Sequence, residues 1–259
     1  MLAELSGKAG GMCSQAREGE IRCPLLVRPN SEDVITSHLW GTLKHINPRH
    51  WVAPLLNRAL GENVFRPQYY RRFQVDLWEK QPRFPREHLT FDEGQTEVDV
   101  ILRWENPATT VFIEMKYGSP LSPTTSNNSG TEVPSDQLIR NIRMGLYTTG
   151  WYREQRLYPV EHRNFIMLVM TPKGKESLVD RYRNLRMLKD SLPASERLIG
   201  LPSSPFIGQL SYPDVVTVLK SQEDEMSEVE TGLARQLSDY LSFKSQTLGR
   251  LNESRSKSG

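Results

Sequence analysis

The segment TEVDVILRWENPATTVFIEMKY (residues 96–117) predicts two neighbouring β-strands and the turn that joins them. Its two halves, residues 96–104 and 109–117, are rich in the β-branched and aromatic residues that are typical of strands. Asn106-Pro107 supplies a turn signal between them. Because the connection is short, we expect the two strands to pair as an antiparallel hairpin.

Polar side chains interrupt this otherwise apolar hairpin. Residues two apart in a strand point to the same face, so Glu97 and Asp99 share one face of the first strand. Glu114 and Lys116 share one face of the second strand for the same reason. Three carboxylates that converge on paired strands are costly to bury, and a hard cation such as Mg²⁺ or Mn²⁺ would remove that cost. The alternative is an exposed sheet face with ordinary ion pairs, which are mildly stabilising across strands.

Helices and further strands are predicted around the hairpin. The expected elements are a helix over 31–46 capped by Ser31, a short helix opened by Pro48 and stopped by Gly61, a strand over 71–80, a loop over 118–135, a helix over 135–150 capped by Ser135, a strand over 164–171, a helix over 174–192, a strand or turn over 204–212, and closing helices over 213–221 and 227–243. The strand at 164–171 is almost wholly apolar, which indicates cover on both faces. The order of elements predicts an α/β fold with a mixed central sheet flanked by helices.

Length and composition favour one domain without a membrane segment. The chain has 259 residues, and we expect a poorly ordered leader over 1–28, one domain over 29–249 and a frayed tail over 250–259. No window is apolar enough for a membrane helix, and the first residues lack the layout of a secretion signal, so a cytoplasmic protein is expected. Cys13 and Cys23 are too few for a disulfide framework or a zinc site. The net charge of +2 is too small to indicate nucleic-acid binding by itself.

The hairpin resembles the PD-(D/E)xK nuclease superfamily, which has the restriction-endonuclease-like fold. That pattern places an Asp at the end of one strand, an (D/E)-x-K on the next strand and a helix after it. Asp99 matches the first part, and Glu114-Met115-Lys116 matches the second. Val98 stands where the pattern has proline, a departure that the superfamily tolerates.

Two residues outside the hairpin add to the resemblance. Glu32 lies near the start of the first helix, where many members contribute a helical carboxylate to the metal. Gln137 lies in the helix after the motif and resembles the Gln that several subfamilies place beside the active-site lysine. The resemblance spans roughly residues 31–170.

The resemblance implies a divalent-metal-dependent nuclease that hydrolyses phosphodiester bonds of DNA, in the manner of restriction or phage-defence enzymes. In this interpretation Asp99, Glu114 and the Met115 carbonyl hold one or two Mg²⁺ or Mn²⁺ ions, with Glu32 bound directly or through water. Lys116 orients the attacking water or stabilises charge on the phosphate, and Gln137 fixes the Lys116 amine or contacts phosphate. Glu97 is a possible additional ligand.

Basic residues near the motif are candidate phosphate contacts. They are Arg140 and Arg143 on the helix of Gln137, and Arg71 and Arg72 on the strand before the hairpin. We expect a nucleic-acid partner, DNA in the first place, and assembly as a homodimer or within a larger complex. Two alternatives stay open: a catalytically silent nucleic-acid-binding subunit of a larger assembly, and an interaction scaffold whose charges form surface ion pairs.

Overall fold

The computed structural model describes residues 31–117, 121–126, 132–153, 161–173 and 178–256. Its helices are α1 Glu32–Leu43, α2 Val52–Leu60, α3 Gln137–Thr148, α4 Asp180–Arg183, α5 Leu185–Ser191, α6 Tyr212–Ser221 and α7 Glu228–Ser256. Its strands are β1 Arg71–Lys80, β2 Glu97–Glu105, β3 Thr109–Met115, β4 Thr124–Ser126, β5 Glu132–Pro134, β6 Asn164–Thr171 and β7 Ile207–Ser211. The predicted leader over 1–28 lies outside the described residues. The part of the chain described here holds no helix with the length and hydropathy needed to cross a bilayer.

Five strands form one mixed sheet in the order β1-β2-β3-β6-β7. The β1–β2 and β2–β3 pairs are antiparallel, while β3–β6 and β6–β7 are parallel. The predicted hairpin is therefore confirmed, with Trp104 opposite Thr109 and Val100 opposite Ile113. Parallel strands need cover on both faces, and helices supply it here. The expected α/β architecture with a mixed central sheet flanked by helices is confirmed at this level.

Separate apolar cores lie on the two faces of the sheet. On one face α1, α2, α6 and α7 pack their apolar residues against those of the central strands, including Leu39, Trp51, Leu102 and Leu237. On the other face α3 packs against Phe112 and the strand β6. The sheet is thus buried on both sides, as the apolar run of β6 predicts.

The ends of two predicted helices have clear local causes. The Ser31 hydroxyl accepts a hydrogen bond from the N–H of Val34 and caps α1, as predicted. Gly61 ends α2 in the left-handed region, with φ of 69°, a conformation that glycine adopts without strain. The predicted cap of α3 was wrong by one residue. Asp136, and not Ser135, accepts the N–H groups of Leu138 and Ile139.

Three other predicted segments have different boundaries in the structure. The single helix expected over 174–192 is two helices within the described residues, because the Asn184 side chain accepts the N–H of Met187 and so caps a new helix. The expected loop over 118–135 contains β4 and β5, which pair as a two-stranded sheet. At the other end of the chain, α7 continues through Ser256, beyond Gly249 where a tail was expected to begin.

The close approach of α3 to β6 predicts a strong effect of one added methyl group. A Cβ atom at Gly145 would lie 2.0 Å from the ring of the buried Phe165. We expect Gly145→Ala to lower the free energy of unfolding by about 1–3 kcal/mol, measured by urea denaturation, because a packed core cannot accept the added volume.

Gly41 provides the matched control within another helix. A Cβ atom there meets nothing within 4 Å, so Gly41→Ala should leave stability unchanged or raise it by up to about 1 kcal/mol. Equal effects of the two substitutions would contradict the packing of α3 on β6.

Candidate functional site

The two strands of the hairpin separate where the polar residues begin. Regular pairing between β2 and β3 ends at Val100 and Ile113. At the next position the Asp99 Oδ2 accepts the N–H of Met115 at 2.9 Å, so a side chain replaces the backbone ladder. The other Asp99 oxygen makes no hydrogen bond to the described residues. This arrangement opens the end of the hairpin and leaves a carboxylate oxygen there.

Glu114 is the most enclosed carboxylate of the site, with 2% of its surface exposed. Its Oε1 accepts from the Lys116 amine at 2.8 Å and from the Gln137 amide at 2.5 Å. Its Oε2 accepts from the Asn141 amide at 2.7 Å. Both oxygens are therefore satisfied, and the buried charge ties β3 to α3.

A third carboxylate reaches the site from α1. The Glu32 Oε2 accepts the N–H of Tyr117 at 2.7 Å, directly after Lys116 in the chain. Helix α1 packs on the face of the sheet opposite to α3. Its first residue, Glu32, contacts the backbone just beyond the end of β3. The fold thus collects carboxylates from β2, β3 and α1 around one lysine.

The charges of this cluster act strongly on one another. Burial, and then the charge of Glu114 with a smaller contribution from Glu32, raises the pKa of Asp99 well above its ordinary value. The Met115 N–H and the charge of Lys116 oppose that shift. Burial by itself lowers the pKa of Lys116, but the charge and hydrogen bond of Glu114 outweigh it, so the pKa is raised. Lys116 is therefore an ammonium at neutral pH, and the three carboxylates outnumber it.

The donor set fits a hard divalent cation in chemistry and in charge. Carboxylate oxygens are the preferred ligands of Mg²⁺ and Mn²⁺, and a bound cation would offset the repulsion that raises the pKa of Asp99. In the present arrangement Lys116, Gln137 and Asn141 occupy the oxygens of Glu114. Among the described residues, no three His, Cys, Asp or Glu side chains are grouped closely enough to hold an ion together. A cation would therefore compete with the protein donors for Glu114.

Most of the predicted site residues lie together. Asp99, Glu114, Lys116 and Glu32 form the charged cluster, and the Met115 backbone lies beside Asp99. Gln137 belongs to the cluster as well, but its amide donates to Glu114, whereas a contact with the Lys116 amine or with phosphate was expected. The side-chain oxygen of Gln137, Oε1, accepts the N–H of Ser122. Gln137 therefore also connects the segment before α3 to the site.

Glu97 is the first residue of β2. It stands opposite Lys80 at the end of the β1–β2 pair, two residues before Asp99. Its part as an additional ligand stays a prediction.

The four predicted phosphate contacts fall into three different environments. Arg140 lies on α3, close enough for the charge of Glu114 to affect its pKa. Arg143 has 3% of its surface exposed, pairs with Glu93 and lies against the Phe84 ring, and its part as a phosphate contact stays a prediction.

Arg71 and Arg72 lie at the opposite end of β1. Arg71 stands opposite Glu105, six residues along β2 from Asp99, which corresponds to roughly 20 Å. Both side chains are exposed there. They can contact nucleic acid only at a distance from the charged cluster.

Asn141 is the site residue that the sequence pattern did not single out. It has 1% of its surface exposed, and its amide donates to Glu114. The available signal was its position four residues after Gln137, which puts both amides on one face of α3. That face otherwise carries the apolar residues Leu138 and Ile142, so a buried amide there indicates a polar partner.

Comparison with known proteins finds no family model, no curated protein and no solved structure that matches this chain.

The raised pKa of Asp99 predicts how stability depends on pH in the metal-free protein. Between the ordinary Asp pKa of about 3.9 and the raised value, the folded state binds more protons than the unfolded state. The free energy of unfolding therefore falls as pH rises through this window. Asp99→Asn removes the penalty, so we expect it to stabilise the protein by on the order of 1 kcal/mol or more at pH 7.

The gain should vanish near pH 3, where Asp99 is protonated in both states, when denaturation is followed in EDTA across this pH range. The exposed Asp190 on α5 supplies the control, and Asp190→Asn should change stability by less than about 0.5 kcal/mol. A loss of stability in Asp99→Asn at pH 7 would contradict the mutual repulsion of the carboxylates.

Proposed function

We propose that this protein is a divalent-metal-dependent nuclease with a restriction-endonuclease-like fold and an active site built from Asp99, Glu114 and Lys116. The observation that carries the proposal is the buried ion pair of Lys116 with Glu114, on which the charges of Asp99 and Glu32 also act. An arrangement of three carboxylates and one amine is unfavourable by itself, and functional sites commonly hold such unfavourable groups.

Each residue has a role that follows from its contacts. Lys116 remains charged, so it positions water and stabilises negative charge on the phosphate, and it does not act as a base. Glu114 holds the Lys116 amine, and Gln137 and Asn141 hold Glu114 in turn. Asp99 and Glu114, with Glu32 and the Met115 carbonyl at the margin, would hold Mg²⁺ or Mn²⁺. When bound, such an ion polarises the phosphate and lowers the pKa of its bound water.

The substrate in this proposal is DNA, and the resemblance to restriction-like enzymes favours defence against foreign DNA. Arg140 feels the charge of Glu114, and its buried Nε and Nη1 atoms have no hydrogen-bond partner among the described residues. The exposed Arg71 and Arg72 would contact the backbone farther along the substrate. Cutting both strands would require a second active site, and a homodimer supplies one.

A second candidate is a nucleic-acid-binding subunit that does not cleave. It is favoured by the protein donors that already bind both oxygens of Glu114. In that case Lys116 and Arg140 bind phosphate, and the buried Glu114 serves to fix α3 on the sheet.

The two candidates differ in their response to metal and to loss of Lys116. We expect the purified protein to cleave supercoiled, linear or single-stranded DNA in Mg²⁺ or Mn²⁺ but not in EDTA. Lys116→Ala and Asp99→Ala should each lower the cleavage rate by about 100-fold or more, because charge stabilisation at the phosphate is lost.

Lys220→Ala serves as the matched control, since Lys220 is exposed on α6. It should cleave as the wild-type protein does. Metal-dependent cleavage that persists in Lys116→Ala would refute the proposed site. Absence of cleavage together with DNA binding that depends on Lys116 would favour the binding subunit.

A further inference from the structure

A cavity of about 460 Å³ lies beside the candidate site, on the other side of the helix that carries Gln137 and Asn141. Its walls combine a cation with apolar and hydroxyl groups. The residues that matter here are Arg140, Phe91, Met187, Thr90, Ser135 and Ser191. This volume falls in the range of pockets that bind small molecules.

Two of the three arginines on the cavity wall are already paired. Arg143 bonds to Glu93, and Arg181 bonds to Asp136. The Tyr182 hydroxyl adds a hydrogen bond to Asp136. Within each pair the positive and negative charges cancel. The third arginine therefore determines the net charge of the cavity wall.

Arg140 is that third arginine. Its Nε and Nη1 atoms are buried and make no hydrogen bond to the described residues. The charges of Glu93 and Glu114 act on it without an ion pair, and burial lowers its pKa despite them. An incompletely compensated guanidinium on a cavity wall favours an anion in that cavity, and guanidinium suits phosphate in particular.

The remaining walls suit a flat apolar group with hydroxyls. Phe91 and Met187 are large apolar side chains that stay 44% and 59% exposed. An aromatic ring and a thioether are favourable surfaces for a nucleobase. Thr90, Ser135 and Ser191 add hydroxyl-bearing side chains for a sugar.

We propose that this cavity binds a nucleoside monophosphate, with the phosphate at Arg140 and the base against Phe91 and Met187. Binding there requires neither a metal nor the Lys116 site, so the proposal stands independently of nuclease activity. A free nucleotide and the terminal nucleotide of a nucleic-acid strand both carry this combination of phosphate, sugar and base.

The test is displacement of a fluorescent AMP analogue from the full chain in EDTA. AMP should displace it at a concentration at least about tenfold below that needed for inorganic phosphate or adenosine, because both halves of the ligand contribute. Arg140→Met should weaken binding about tenfold or more, and Arg140→Lys should restore part of it.

Arg186→Met is the matched control, because Arg186 is exposed on the same helix as Met187 but does not line the cavity. It should bind as the wild type does. If Arg140→Met fails to fold, Phe91→Ala replaces it, since Phe91 is partly exposed and its loss should weaken AMP but not inorganic phosphate.

The proposal would be overturned if AMP failed to displace the probe. It would also be overturned if Arg140→Met and Phe91→Ala bound AMP as the wild-type protein does. Binding that is lost in Lys116→Ala and kept in Arg140→Met would also overturn it, by placing the nucleotide in the candidate active site. A strand with a terminal phosphate that displaces the probe would identify the strand end as the ligand. Displacement by AMP and not by that strand would identify the free nucleotide.

Discussion

Burial of the Glu114 carboxylate is the constraint on which the arrangement around the site depends. An ionised carboxylate at 2% exposure is tolerated only with partners for both oxygens. Lys116 supplies one partner from the same strand, and Gln137 and Asn141 supply the others from α3. These bonds fix the position of α3 over the sheet. The same helix places Arg140 and Asp136 on the wall of the neighbouring cavity.

The charge balance of the cluster links structure to the proposed chemistry. Burial, together with the charges of Glu114 and Glu32, raises the pKa of Asp99, while attraction to the carboxylates keeps Lys116 charged. Both effects would diminish if a divalent cation joined the carboxylates, since the cation would take over part of the attraction. In the described arrangement protein donors bind Glu114, and an ion would have to displace some of them. The proposed metal-dependent activity rests on this competition.

Local patterns predicted the strands and the central acidic residues, while contacts distant in sequence were harder to foresee. The alternation of residues 96–117 identified β2 and β3 because strand periodicity is a local property. Glu32 was predicted to lie at the site only through resemblance, since 85 positions separate it from Tyr117. The burial of Arg143 depends on Glu93, 50 positions away, and no local signal distinguished it from Arg140. Asn141 was missed because its partner lies 27 positions away.

Direct measurement of cation binding tests the central claim most sharply. Titration of the metal-free protein with Mn²⁺ in a calorimeter should show saturable binding, weakened about tenfold or more in Asp99→Asn, because one carboxylate ligand is lost. Asp190→Asn, at an exposed position on α5, should bind as the wild type does. Saturable binding that depends on Asp99 is the result this account predicts. Absence of Mn²⁺ binding in the folded wild-type protein, or equal binding in Asp99→Asn, would contradict it.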